Sequence, residues 1–165
     1  MQDMQARQGK RAGLVQTREF VCVSTQSGRG LLRRDPQGVT QTLDVGAPDS
    51  ELGSAIVQAL AKSRFLSSEE ARAFFDKASN IDDWEAWVRF LMTKYGYPSR
   101  KALFQQMKSC DVRRVGDAIE FLPSRHVESE AWEALDPSEA LTINADATAD
   151  EIGAAARIAL QRCAE

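Results

Sequence analysis

Histidine occurs once in the 165 residues, at His126. A single imidazole excludes multi-histidine metal sites and narrows the catalytic options. Cysteine is scarce too. Cys22, Cys110 and Cys163 are odd in number and lack Cys-x-x-Cys spacing, so reduced, mostly buried thiols are expected rather than a disulfide framework or a zinc site. Five prolines and ten glycines are too few for a low-complexity linker. No apolar run approaches the roughly 18 residues of a membrane span. The segment Met1–Lys10 lacks the apolar stretch of a secretory signal, which predicts a cytoplasmic protein.

Apolar residues make up 43% and charged residues 27% of the chain, the proportions of a soluble globular domain. A chain of this length buries roughly 70% of its unfolded surface, enough for a real core. The net charge of −3 is too small to name a partner, but its distribution is uneven. Residues 126–165 hold two basic and nine acidic side chains. Such a surface is either simply solvated or attracts a basic partner.

Residues 1–16 are polar and without period, and read as a loose leader before a domain spanning 17–165. Strands are predicted at Glu19–Thr25, around Leu31–Leu32 and at Val39–Asp44, the last two separated by the turn Asp35-Pro36-Gln37-Gly38. A helix over Asp49–Ser63 carries Leu52, Ile56, Ala59 and Leu60 on one stripe. Ser67 with Glu70 forms a capping box for a helix through Phe75. The strongest periodicity is Trp84, Trp87, Val88, Leu91 and Tyr95, on a helix with Asn80 as the candidate cap and Gly96 as the stop. A fourth helix is expected at Arg100–Met107. Strands return at Cys110–Arg114, at Ala118–Leu122 (stopped by Pro123), at Arg125–Glu130 and at Ala140–Ile143. Thr148 with Glu151 caps a last helix to Arg162.

Ala47–Leu60 aligns without a gap on Ala147–Leu160, with Ala47, Glu51, Gly53, Ala55, Ala59 and Leu60 identical at an offset of 100 residues. Each copy is strand, turn, helix. Gly53 and Gly153 each cost about 1 kcal/mol of helix propensity against Ala. Close helix packing is the simplest offset, since neither copy resembles a dinucleotide or phosphate loop. The fold class that follows is α+β: one domain, a mixed and largely antiparallel sheet of five to six strands, helices mainly on one face, and the repeat helices as neighbours.

Little in the chain suggests catalysis. Cys110 and His126 could form a Cys–His pair only if the fold brought them together. Asp82-Asp83 and Glu69-Glu70 could bind a metal, but carboxylates at helix starts commonly complement the dipole. Arg33-Arg34 and Arg113-Arg114 are a weak nucleic-acid signal without exposed aromatics between them.

Lys94–Cys110, Glu151–Cys163, and Leu52-Gly53 with Ala59–Phe65 together resemble the immunity proteins of bacterial contact-dependent growth inhibition systems (CdiI-like), in order and spacing from about Phe20 to Cys163. The resemblance implies a non-enzymatic cytoplasmic antidote. It would bind the C-terminal toxin domain of a cognate CdiA protein, often a nuclease, as a one-to-one complex. It implies no cofactor, no metal, no membrane and no direct nucleic-acid contact. No binding residues carry over from the family. Acidic side chains suit the basic groove of a nuclease, at its active site or at an exosite. Two sets compete: Glu69, Glu70, Asp82, Asp83 and Glu85 on the one hand, Glu128, Glu130, Trp132 and Glu133 on the other. The first is placed ahead. A small nucleic-acid-binding regulator and a Cys/His enzyme are the alternatives.

Overall fold

The computed structural model describes residues 2–164. The elements in chain order are α1 (Gln2–Gln8), β1 (Lys10–Gln16), β2 (Phe20–Arg29), β3 (Leu31–Arg34), β4 (Thr40–Asp44), α2 (Asp49–Ala61), α3 (Ser68–Phe74), α4 (Lys77–Tyr95), α5 (Arg100–Phe104), β5 (Lys108–Val115), β6 (Ala118–Glu128), β7 (Ala131–Ala134), β8 (Leu141–Asn144) and α6 (Ala149–Gln161). The strands make one curled sheet in the order β3-β2-β1-β5-β6-β7, with β4 also on β2 and β8 also on β6. Every named strand pair is antiparallel. The α+β class and the single domain are those read from the sequence.

The repeat is larger than the sequence displayed. The run β1-β2-β3-β4-α2 recurs about 100 residues later as β5-β6-β7-β8-α6. The two copies meet at the β1–β5 pair, where Ala12 lies opposite Val112, its own counterpart. Helices α3, α4 and α5 are the insertion between the copies. The repeat helices pack on each other as expected. A Cβ on Gly53 would lie 1.8 Å from the Ala149 carbonyl oxygen, and one on Gly153 1.9 Å from that of Asp49. The reciprocity of these contacts is what a local two-fold relation requires.

The helices divide between both faces of the sheet rather than keeping mainly to one. Alternation along β2 explains this. Val21 and Val23 point into a core with Leu14, Val112, Phe121 and the apolar faces of α2 and α6. Phe20 and Cys22 point into a second core with Trp87, Val88, Leu91, Leu103, Phe104 and Met107 from α4 and α5. The tryptophan stripe therefore builds this second layer.

Three local readings need correction. Residues 10–16 are no leader: β1 is a central strand, hydrogen-bonded to β2 on one side and β5 on the other. The preceding residues form a short helix whose Gln8 side chain bonds to the carbonyls of Gly28 and Arg64 and accepts from Gly30. Helix α4 is capped by Asp76, which accepts from the Ser79 amide (3.1 Å), and not by Asn80. Pro123 does not stop its strand, because it falls where β6 exchanges β8 for β7 as its neighbour. The lost N–H therefore breaks neither ladder.

Candidate functional site

The second face of the sheet is covered only in part by the inserted helices. A groove of about 520 Å³ opens beside them. Its floor is Gly13 and Val15 of β1, Ser24 and Gln26 of β2, and Ser109 and Asp111 of β5. Arg33 and Arg34 of β3 flank it. Asn80, Asp83, Trp84 and Trp87 of α4 form one wall, and Glu130, Ala131 and Trp132 at β7 line it as well. Gly13 lies directly opposite both Ser24 and Asp111, so the central strand presents no side chain there, and the Gln26 side chain reaches over it, 2.8 Å from where a Gly13 Cβ would stand.

The charges are ordered by pairing. The Arg33 guanidinium binds the Asp83 carboxylate and the Phe74 carbonyl. Arg34 donates to the Asp83 carbonyl (3.0 Å) and lies over the Trp87 ring, 5.2 Å from its centroid. Burial lowers the Arg34 pKa from the usual arginine value. Asp111 meets solvent in the groove, but the surrounding protein desolvates it and raises its pKa; the nearby Arg11 opposes that shift. Asp111 makes no hydrogen bond or ion pair through its carboxylate among the described residues.

The tryptophans form a continuous aromatic series. Trp84 contacts Trp87 (5.0 Å between centroids) and Phe104 (5.8 Å), Phe104 contacts Trp132 (6.1 Å), and Trp132 stacks on His126 (5.0 Å). The Trp132 indole N–H bonds to the Met107 carbonyl (3.0 Å). Trp132 is thus half-buried wall, neither free anchor nor fully enclosed core.

The two rival acidic sets are joined at one point on this face. Arg100 donates to Glu85 of the first set (2.6 Å) and to Glu130 of the second (2.7 Å). Asp83 and Glu130 both line the groove. Glu70 serves the capping box of α3, and bonding from Ser67 holds its carboxyl below the usual range. Glu69 and Asp82 are exposed. Glu128 and Glu133 are also exposed, the latter 3.9 Å from Arg125. Gly53 and Gly153 lie at the α2–α6 contact, away from the groove.

Cys110 and His126 do not meet. Cys110 is buried in the core beneath α2 and α6, where burial pushes its thiol pKa far up, whereas His126 stacks on Trp132 beside the other core. The arginine pairs do not form a free basic face either: Arg33 is taken by Asp83 and Arg113 by Glu120 (2.7 Å). The sequence reading missed Gly13, Asp111 and Arg100. A glycine in a short polar segment and an arginine after a helix cap carry no signal until the strands are paired. No helix of the described residues is long and apolar enough to cross a membrane.

Comparison with known proteins places this architecture. The chain is similar over about nine-tenths of its length to two solved structures at 33% identity each. One is a Neisseria meningitidis protein of unknown function, with a TM-score of 0.88 over 93% of this chain and 94% of that one. The other is a CdiA-CT/CdiI toxin and immunity complex from Yersinia pseudotuberculosis, with a TM-score of 0.86 over 93% and 97%. Among curated proteins, the immunity protein CdiI-YPIII of Yersinia pseudotuberculosis serotype O:3 is 33% identical over 92% of this chain and 94% of its own. The family model for the CDI immunity protein matches residues 10–163, starting at the first residue of β1. The chain belongs to the CdiI family of immunity proteins of contact-dependent growth inhibition.

Proposed function

We propose that this protein is a cytoplasmic antidote that binds the C-terminal toxin domain of its cognate CdiA protein one-to-one and blocks it without turning over any substrate. The observation that carries this reading is the match to a chain of a toxin–immunity complex over 93% of this protein. The toxin domain is a nuclease in this reading. A nuclease holds phosphates in a basic cleft, and the acidic side chains around the groove complement such a cleft.

The toxin docks on the face that carries the groove. Glu69, Glu70, Asp82, Asp83 and Glu85 form the leading set. Glu128, Glu130, Trp132 and Glu133 are the companion set, since Arg100 joins Glu85 to Glu130. The exposed Asp82 offers the cleanest handle, because it makes no ion pair among the described residues.

Co-expression tests the reading. This protein should rescue cells from the CdiA C-terminal domain encoded beside it and not from unrelated toxins. Asp82→Lys, and the triple reversal of Asp82, Asp83 and Glu85, should slow association with that domain and weaken rescue. Reversal of Glu128, Glu130 and Glu133 is the comparison. If the first triple variant folds and binds like wild type while the second loses binding, the leading set is the wrong one. A wild-type chain that neither binds nor protects sinks the antidote reading itself.

A further inference from the structure

The groove wall is held by groups from three separate parts of the chain. Trp84 on α4 donates its indole N–H to Glu130 Oε1 (2.8 Å). Arg100 opens α5 and donates to that same oxygen from Nη2 (2.7 Å), to the second Glu130 oxygen from Nε, and to Glu85 from Nη1 (2.6 Å). Glu130 itself lies in the turn from β6 to β7, two residues before Trp132. The pairing of β6 with β7 is irregular next to this turn, slipping between His126 and Glu128, so the ladder alone fixes the turn poorly.

Fold stability is a weak explanation for this cluster. The Arg100 and Glu85 side chains are 38% and 43% exposed, and pairs that open to water contribute little. Binding a toxin through Glu130 is a weak explanation too. Oε1 already accepts two hydrogen bonds and Oε2 one, and the arginine holds the carboxyl below its usual pKa range. Three of its roughly four acceptor positions are thus filled from within the chain, which leaves a partner's donor a single place on Oε2.

We propose that Arg100 and Glu130 are positioning residues: a latch that ties the β6–β7 turn to α4 and α5 and presets Trp84 and Trp132 as one rigid wall of the groove for the toxin. The proposal rests on the toxin-binding reading and deepens it. Within the companion set, Glu130 therefore shapes the docking surface through the tryptophan it holds, and Trp132, Glu128 and Glu133 are left to meet the toxin. With the latch open, the toxin must order two large side chains and a turn as it binds. That ordering weakens affinity by about ten- to a hundredfold, since each immobilised side chain carries its own entropic cost.

The test uses the full chain and a catalytically silenced C-terminal domain of the neighbouring CdiA protein. Arg100→Ala, Glu130→Gln, Arg100→Lys and the double variant Arg100→Ala/Glu130→Gln are compared. Three readouts are taken: affinity, denaturant midpoint, and tryptophan emission with acrylamide quenching of the unbound protein. Glu130→Gln keeps the side-chain shape, and so guards against a variant that merely fails to fold. The expected result is a tenfold or greater loss of affinity for Arg100→Ala and Glu130→Gln, with a nearly unchanged midpoint. Emission should move to the red, quenching should rise, and Arg100→Lys should recover part of the loss. The double variant should be no weaker than the weaker single one, as for two halves of one latch. If wild type binds and both single variants bind as tightly, the latch is overturned and toxin binding stands. If affinity falls while emission and quenching stay as in wild type, Arg100 and Glu130 contact the toxin directly and the positioning role is overturned. If wild type does not bind the toxin domain, the antidote reading falls, and the latch falls with it.

Discussion

Replacing Gly53 by alanine sets two known effects against each other. In an open helix the change gains about 1 kcal/mol, because glycine is the poorer helix former. Here the new Cβ would lie 1.8 Å from the Ala149 carbonyl oxygen and 2.6 Å from the carbonyl carbon. Real Cβ atoms essentially never come within 3.0 Å of another heavy atom, so α2 and α6 must part by roughly 1.2 Å at least. The obstacle is backbone, which cannot rotate aside. It is also anchored: Arg157 of α6 binds Asp49 at the start of α2 (2.7 Å) and the carbonyls of Val45 and Ala47. Parting the helices loosens contacts of Leu52, Ala55, Ile152 and Ala156, all in the larger core. Overpacking of this kind outweighs the propensity gain, for a net loss of about 2–3 kcal/mol. For a chain of this size that lowers Tm by about 5–10 °C. Urea denaturation followed by tryptophan emission measures it. Gly153→Ala should cost a similar amount, and the double variant less than the two together, since both press on one contact. Gly46→Ala is the control: nothing lies within 4 Å of its Cβ position and its φ is not positive, so stability should hold or rise slightly. A Gly53→Ala protein as stable as wild type, or more stable, would refute the close-packing account.

Two further outcomes follow from the same structure. Burial by itself would raise the pKa of Asp35, but hydrogen bonds from Arg64, Ser27 and the Gln37 amide outweigh it and hold the carboxyl below its usual value. A depressed folded-state pKa gives stability that is present above the unfolded value of about 4 and is lost as pH falls through the folded one. Urea midpoints should therefore drop below about pH 4, and Asp35→Asn should flatten that part of the profile while lowering stability at pH 7; an unchanged acid limb would exclude the pair as its source. Truncation separates α1 from β1: removing residues 1–7 should leave a folded protein, whereas removing residues 1–16 takes out the strand between β2 and β5 and should abolish soluble, cooperatively unfolding protein. A stable, folded chain lacking residues 1–16 would contradict the central place of β1.

Much of the local structure was legible because its causes are local. Ser67 with Glu70 and Thr148 with Glu151 form the capping boxes their spacing implies, and Gly96 ends α4 in the left-handed conformation at φ 72°. The Trp87, Val88 and Leu91 stripe is buried as its period requires. The repeat glycines pointed to a close helix contact, and they make one. The segment Lys10–Gln16 was illegible because of its composition. Only Ala12 and Leu14 of β1 face the larger core, while Arg11 and Gly13 face the side where the groove lies, so the strand lacks the apolar content that would have announced it. The slip at Pro123 has a similar origin. A proline is excluded from a strand only where a neighbour needs its N–H, and which neighbour stands there is a tertiary fact.

The same division holds for the candidate site. Charge distribution determined that the protein carries acidic surface, and the pattern of residues determined the α+β class. Which acidic groups remain open to a partner was decided only by the fold. Asp83 is taken by Arg33, fifty residues away in the chain. Glu85 and Glu130 are both taken by Arg100, over fifteen and thirty residues. Glu69 and Asp82 stay in water. Hydrogen bonds and caps between near neighbours are written in short spacings, but ion pairs form between whatever charges the packed layers bring within a few ångströms, and no spacing in the chain encodes that distance.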